Sequence, residues 1–479
     1  MPKVLIFGSG LAGLSAGIHL LEARKDIAVT IYEMGHYPGG KAKSYRNEKG
    51  FNIDHGFHAF FAFYANFRNL LKRAGVKEKG LFVSSRNISY FYEEDSGRVH
   101  QVSSPFVNTG DVDGVSFGYP VKESLKIADF GARNYFDIYV YPKIEKWDDI
   151  CYTAWAIERG FDKNLVEKRW FRFSRDAYFN WPNEVSAYIT LKSIRNLRNP
   201  KFFYINGNYG ENLINPLVNF FKKMGGELIF RKKLVRIEHD GEQITAAIIA
   251  DPDPSPHDCG KKQWDGNIPV LTGTDVRISD FDYIILTLPI DNFKELVSGD
   301  ETLEKMYPDV KNLRTVVTMS YQMWTKERVL PEEYWGGING LNEPMGTVID
   351  YKNIVEVYKN NYEYGSVLEW VGQETGFEDK SDDEIKEIII NGFLKIPGAK
   401  DPRKAGIIYD LLKRSRGSHQ RFILTEPGIN KFRPHVSTPM KNLFLAGDWI
   451  RNHVDLPTME GAVKAGMEAS EKILKHFSK

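Results

Sequence analysis

The chain has 479 residues, enough for two or three domains with sizeable cores. Its 64 Lys and Arg face 63 Asp and Glu, a net charge of +1 that excludes the overall electrostatic footprint of a nucleic-acid binder. Two cysteines, Cys151 and Cys259, stand far apart with neither metal nor redox spacing, which argues against a disulfide scaffold or a metal centre and for a reducing, cytoplasmic compartment.

The first element is an apolar strand, Lys3 to Phe7, followed by Gly8-Ser9-Gly10-Leu11-Ala12-Gly13. Apolar residues at helical spacing then run from Leu14 to Ala23, and a second strand, Ala28 to Tyr32, ends at Glu33. A strand, a glycine turn, a helix and an acid closing the next strand is the pattern of a dinucleotide site. Gly8 permits the tight turn, Gly10 lets a pyrophosphate approach the backbone, and Gly13 lets the helix pack close to the strand. The helix N-terminus faces the phosphate charge, and Glu33 is placed to hold ribose hydroxyls.

The loop that follows, Met34 to Ser44, reads M-G-H-Y-P-G-G-K-A-K-S. A second glycine doublet with a basic residue directly after the acid-bearing strand resembles the FAD enzymes of the flavin amine oxidase and carotenoid desaturase superfamily. That resemblance implies FAD as cofactor, with Met34, Gly39, Gly40 and Lys41 among its contacts. An ordinary Gly-rich loop is the alternative the residues alone leave open.

Asp54 to Phe57 reads as a turn, and Phe67, Leu70 and Leu71 mark one face of a helix from Tyr64 to about Gly75. The segment D-H-G-F-H-A-F-F-A-F-Y-A-N-F-R-N-L-L, Asp54 to Leu71, resembles plant-type phytoene and zeta-carotene desaturases. The resemblance implies that His58, Phe60 and Phe61 lie beside the isoalloxazine and the substrate channel, with Gly56 and Phe57 near the cofactor and His58 as a catalytic residue. Read by itself, His58 is more simply a satisfied core histidine, and the surrounding resemblance brings the two readings level.

Strand-like pieces follow at Asn87 to Tyr92 and Arg98 to Val102, then a turn-rich stretch from Val107 to Gly118 that departs from the desaturases. The family pattern returns at Trp147 to Leu165, a capped helix, a turn at Gly160 and a further helix, and at Phe179 to Ala187 before a long helix. From Tyr204 a Gly-rich turn leads into a helix closed by Gly225-Gly226, then a strand and a hairpin. The resemblance implies backbone contacts to the adenine side at Leu234 and Val235. Asn212 stands where the desaturases carry an arginine, so no arginine role carries over. Asp251 to Asp280 reads as an exposed insertion within a hairpin, Tyr283 to Pro289 as an apolar strand, Thr315 to Trp324 and Ser366 to Val371 as strands, and Ser381 to Leu394 as a helix.

Near the other end, a strand at Leu443 to Ala446 runs into Gly447-Asp448, and Pro457 leads to a helix starting at Thr458 to Gly461. An acid after a strand accepts hydrogen bonds from a ribityl chain, and a helix N-terminus stabilises negative charge on a reduced flavin. Small residues at Ala462, Ala465 and Gly466 permit close approach. This order, G-D then M-E-G-A, resembles the closing motif of the carotenoid desaturases, which implies cofactor contacts at Gly447, Asp448, Pro457, Thr458, Met459, Gly461 and Ala462.

The expected fold is therefore α/β: a discontinuous Rossmann-type FAD-binding domain of the glutathione reductase type from 1–75, 201–290 and 421–479, and a substrate domain of mixed sheet plus helices from 76–200 and 291–420. The resemblance implies an FAD-dependent oxidoreductase that desaturates or isomerises an apolar polyene or isoprenoid lipid by hydride transfer to flavin N5, with a quinone or dioxygen as electron acceptor. An FAD-dependent amine oxidase is the first rival, and a non-catalytic prenyl-lipid carrier on the same fold the more remote one. No apolar run of about eighteen residues occurs, and the first core strand at Lys3 predicts no leader peptide. Aromatic residues make up 13% of the chain, which suits an apolar pocket. A lipid substrate predicts peripheral membrane contact, placed at Phe60 to Phe67 or Val107 to Tyr119. The oligomeric state is not legible.

Overall fold

The computed structural model describes residues 1–54, 56–84, 88–94, 97–103, 121–166, 172–181, 183–197, 201–251, 275–341 and 343–477. The Val107 to Tyr119 stretch and most of the Asp251 to Asp280 insertion lie outside the described residues.

Five strands, β1 (Lys3–Phe7), β2 (Ala28–Glu33), β3 (Glu227–Phe230), β4 (Tyr283–Leu286) and β5 (Leu443–Leu445), form one parallel sheet in the order β3-β2-β1-β4-β5. The central strands are near-continuous apolar runs because both faces are covered, as a parallel sheet requires. Val4, Ile6, Ile284, Ile285 and Leu445 have no exposed surface. Four helices frame the sheet: α1 (Leu11–Ala23), α2 (Ala65–Arg73), α3 (Asn215–Lys223) and α4 (Met459–His476). Helices α1 and α4 lie along each other at a separation only glycine allows, since a Cβ on Gly466 would stand 2.2 Å from the Ala12 carbonyl oxygen. Gly13 meets a similar limit, with its hypothetical Cβ 2.0 Å from the Gly8 oxygen.

A second, seven-stranded sheet is mixed. Its order is Ile407–Arg414, Thr318–Thr325, Ser366–Gln373, Met345–Asp350, Ile338–Asn339, Ile88–Glu93 and Arg98–Ser103, with only the Ile338–Asn339 and Ile88–Glu93 pair parallel. Strand periodicity gives it two unlike faces. Tyr321, Met323, Leu368, Trp370 and Leu412 pack against Ile385, Ile389 and Phe393 of the helix Asp382–Phe393. That helix starts with a full capping box from Ser381 and Glu384. The opposite face carries Ser320, Gln322, Glu369, Val371 and Lys413 by register, and lies under the strand Asn52–Asp54.

Three readings of the sequence change. Asp54 closes the strand Asn52–Asp54, paired with Ser44–Arg46, and the turn begins at Gly56 with φ 91°. The residues before the Gly-rich turn form a strand, Phe202–Ile205, which pairs with both Phe60–Phe61 and Phe82–Ser84. Phe60 and Phe67 are 2% and 0% exposed, so these rings pack the core and do not make a membrane-facing surface. The strands flanking the 252–274 insertion, Ile244–Ala250 and Val276–Ile278, pair antiparallel.

Gly466→Ala is expected to lose about 1–3 kcal/mol of stability by forcing α1 and α4 apart. Gly392, in the helix Asp382–Phe393 with open space where a Cβ would sit, is the control: Gly392→Ala should gain about 0.5–1 kcal/mol. Thermal melts of the two variants check both signs.

Candidate functional site

Gly8 leaves β1 with φ 111°, its N–H still in the ladder to the Tyr32 oxygen at 2.8 Å. Gly10 is the N-cap of α1 and supplies no side chain there, and the first turn holds no acid, so the amides at this helix end meet no carboxylate from their own helix. Gly39 donates its N–H to the Ser9 oxygen at 3.0 Å, and Gly10 and Gly39 form a parallel bridge. A Cβ on Gly40 would lie 3.2 Å from the Gly10 Cα. The two glycine groups of the sequence thus make one backbone cradle. Leu11 and Ala12 are buried in the core.

The Glu33 carboxylate caps this cradle. Its Oε2 accepts from the Ser9 N–H at 2.9 Å and the Ser9 hydroxyl at 2.6 Å, and its Oε1 accepts from the Gly35 N–H at 2.8 Å. Met34 therefore lies between two residues tied to the turn. Lys232 donates its N–H to the Glu33 oxygen at 2.9 Å, which brings the strand carrying Leu234 and Val235 beside the same acid.

The far end of the chain closes on the near end. Lys41 Nζ meets Asp448 Oδ2 at 2.8 Å, uniting the glycine doublet with Gly447-Asp448. Thr458, next to Pro457, caps α4 by accepting from the Gly461 N–H at 3.1 Å, and Gly461 is required because a Cβ would stand 2.2 Å from the Leu456 oxygen. Met459 and Ala462 occupy the first turn of α4. Glu460, 2% exposed, accepts from the Asn66 and Phe67 N–H groups at 2.9 Å each and so binds the start of α2 to the start of α4.

Gly56 and Phe57 lead to His58, whose N–H donates to the Tyr209 hydroxyl at 3.0 Å. His58 Nδ1 is enclosed without a partner, and burial pulls the imidazole down to about 4, so the ring is neutral near pH 7. Its face meets Tyr209 edge-on at 5.4 Å. From there aromatic rings continue through Phe60, Phe67 and Phe82, and through Phe61 to Phe63 and Phe202.

Sequence reasoning missed two polar clusters. One holds the loop before α4: Arg433, with 2% of its side chain exposed, pairs with Asp455 at 3.0 Å and donates to the Trp449 and Ile450 oxygens at 2.8 and 3.1 Å. Asp455 has φ 54° and accepts from the Tyr188 hydroxyl at 2.7 Å. Arg433 also donates to Asn430, which in turn donates to Asp148. Nothing in the spacing of the sequence links Asp455 to Arg433. The other cluster, Asp54, Glu369 and Lys413, comes from three distant segments.

The residues fit a long dinucleotide. A cradle with no Cβ atoms has room for a pyrophosphate, and Glu33, Lys41, Asp448 and the α4 N-terminus are the groups that would hold the rest of such a cofactor. A family model for flavin-containing amine oxidoreductases matches residues 11–474. The chain belongs to that family. It is an FAD-dependent oxidoreductase. The chain is 23% identical over 495 residues to the 15-cis-phytoene desaturase of an Oncidium hybrid cultivar, spanning 100% of this chain and 78% of that protein. It is 22% identical over 506 residues to the zeta-carotene desaturase of Arabidopsis thaliana, spanning 98% and 85%. In fold it resembles an oxidoreductase from Methanosarcina mazei, with TM-score 0.68, 16% identity and coverage of 98% and 100%. Putrescine oxidase bound to putrescine gives TM-score 0.68 at 13% identity, with 99% of both chains covered.

Arg433→Met should cost about 3–5 kcal/mol, because it leaves Asp455 buried and uncompensated. Lys441→Met, which removes an exposed pair with Glu242, should leave the midpoint nearly unchanged. Denaturant midpoints at constant slope separate the two. The neutral His58 adds a pH signature. Its folded pKa, about 4, lies below the ordinary 6.5, so the unfolded chain binds more protons in that window. Stability is thus fully present above 6.5 and falls as the pH drops toward 4, and His58→Asn should flatten that part of the curve.

Proposed function

We propose that this flavoenzyme acts on an apolar polyene or isoprenoid lipid, as a desaturase or isomerase of the phytoene type. The observation that carries the reading is the set of half-buried rings Phe61, Phe63 and Phe202 next to the His58 segment, an apolar surface backed by the core rings Phe60 and Phe67. Kinship along nearly the whole chain with phytoene and zeta-carotene desaturases supports it. Bound FAD supplies a hydride acceptor at N5. The chain's own residues do the rest. The glycine cradle, Glu33, Lys41 and Asp448 hold and orient the cofactor, the aromatic wall positions the substrate and excludes water, and the α4 N-terminus at Thr458 to Gly461 favours the negative charge that accompanies reduction. Neutral His58, with its free Nδ1, is a candidate to take the proton that leaves with desaturation. A quinone or dioxygen then takes up the electrons.

Amine oxidation is the second reading, favoured by the putrescine oxidase likeness of the fold. An anaerobic experiment separates the two: the yellow protein in liposomes is mixed with phytoene-like carotenes or with simple amines, and flavin bleaching and polyene absorbance are followed. Bleaching with a red-shifted polyene supports desaturation, and altered polyene bands without bleaching support isomerisation. Bleaching by amines alone overturns the lipid reading. Under the lipid reading, His58→Gln should slow bleaching by about 100-fold, and an unchanged rate would return His58 to a packing role.

With the lipid reading we propose a peripheral membrane contact and a cytoplasmic location. Among the described helices none is long and apolar enough to cross a membrane. The segment from Leu125 to Val140 exposes Leu125, Phe136 and Val140 by 64%, 58% and 50%, beside Lys126 and Arg133, which are partly exposed and pair with Asp162 and Asp129. We place docking on anionic lipid there, in place of Phe60 to Phe67. Leu125→Asp with Phe136→Asp should abolish co-sedimentation with anionic vesicles while leaving bound FAD unchanged.

A further inference from the structure

The face of the second sheet that lies under the His58 segment is polar at its centre. Glu369, with no exposed surface, accepts from the Tyr351 hydroxyl at 2.7 Å through Oε2, while its Oε1 has no partner. Asp54, 5% exposed, likewise has an unpartnered Oδ1. The Asp54 N–H faces Gln322 Oε1 at 3.4 Å, and its carbonyl oxygen accepts from Lys413 Nζ at 2.5 Å. Tyr209, which bonds the His58 backbone, and Tyr358, which accepts from Asn52 at 2.7 Å, enclose the group from two further elements. Lys43, on the loop after the glycine doublet, faces Lys413.

Two buried carboxyl groups with one free oxygen apiece, and one lysine between three strands, are an arrangement that a polyene site does not need. Its place is informative. Asp54 pairs across a two-stranded ribbon with Ser44, so it stands one strand away from the loop of Gly39, Gly40 and Lys41. Through Gly56, whose added Cβ would touch Val371 at 3.5 Å, it leads directly to His58. The cluster therefore lies behind the Gly56–His58 backbone, one strand from the loop of Gly39 to Lys41.

We propose that Asp54, Glu369 and Lys413 act as one proton-holding unit beneath the flavin-facing segment, and that the unit takes up a proton when the flavin is reduced. The balance is simple. At a pH where Glu369 is ionised, two electrons from the reductant and one proton would go to the flavin, and a further proton from solvent would come to rest on the free Glu369 oxygen. Burial and the charge of Asp54 hold the Glu369 carboxyl far above the ordinary carboxylate range; burial also raises Asp54 and lowers Lys413. Near neutral pH the unit is a lysine ammonium, an aspartate and a neutral glutamic acid. As the pH rises Glu369 loses its proton, and added electrons on the neighbouring flavin then favour its return. Tyr351, Tyr209 and Tyr358 stay neutral, since burial raises all three.

The inference rests on FAD binding alone and not on the substrate. Its test is a potentiometric titration of the holoenzyme with a chemical reductant, from about pH 6 to about pH 10. The wild type should show a bend above neutral pH, beyond which reduction becomes an extra tenfold harder per pH unit, about 30 mV for a two-electron couple. Glu369→Gln, which keeps the shape and the Tyr351 contact, should lose the bend. Tyr351→Phe, which removes a hydrogen bond that stabilises the Glu369 anion, should move it to higher pH. A wild-type bend that survives in Glu369→Gln overturns the proposal, as does a wild type without one. If Glu369→Gln fails to retain FAD, an unmoved bend in Tyr351→Phe overturns it equally. No carotene or amine enters the experiment, so its failure is separate from failure of the lipid reading.

Discussion

A pyrophosphate can leave water only where backbone amides replace its hydration, and amides can come that close only where no Cβ intervenes. This constraint organises the molecule. Gly8 turns the chain, Gly10 opens the helix end, Gly13 lets α1 settle on β1, and Gly39 and Gly40 bring a second loop onto the first within van der Waals contact. Gly466 repeats the device from the other end of the chain, bringing α4 against α1. Every further feature of the site is hung on this bare backbone surface: the acid at Glu33, the Lys41 and Asp448 pair, and the dipole of α4.

What could be read from the sequence was what short spacing encodes. The glycine turn, the acid at the end of β2, the helix after Tyr64 and the helices starting at Ser381 and Thr458 are decided within a few residues of themselves, and they sit where the pattern put them. The meeting of the two ends was legible because motifs of one site stood at both. Long-range polar pairs were not. Lys41 with Asp448, Arg433 with Asp455, and Glu369 with Asp54 join residues whose partners are set by topology, and a charged residue in a loop looks alike whether it ends in water or in a buried ion pair. The aromatic stretch after His58 misled in another way, since Phe60 and Phe67 read as a surface for lipid while the small sheet with Phe202–Ile205 folds them inward.

The two sheets divide the chemistry. The parallel sheet is apolar through its thickness and presents its polar work at the strand ends, where loops carry the glycines and acids. The mixed sheet has one oily face for the helix Asp382–Phe393 and one face where Ser320, Gln322, Glu369 and Lys413 line up under the His58 segment. Buried charge of that kind is expensive unless each group finds a partner. It lies directly under the Gly56–His58 backbone and not out on a rim.

The sheet order has a consequence for how the protein comes to exist. β1, at the centre, is flanked by β2 from its own neighbourhood but on its other side by β4, beyond which lies β5 near the far end. A growing chain on the ribosome therefore carries a finished glycine turn with half of its supporting sheet missing and with the apolar edge of β1 open. Glu460 cannot close the start of α2 until almost the whole chain has emerged. Acquisition of the cofactor is for this reason a late event in the life of each molecule, and small losses at the tail are felt at the head.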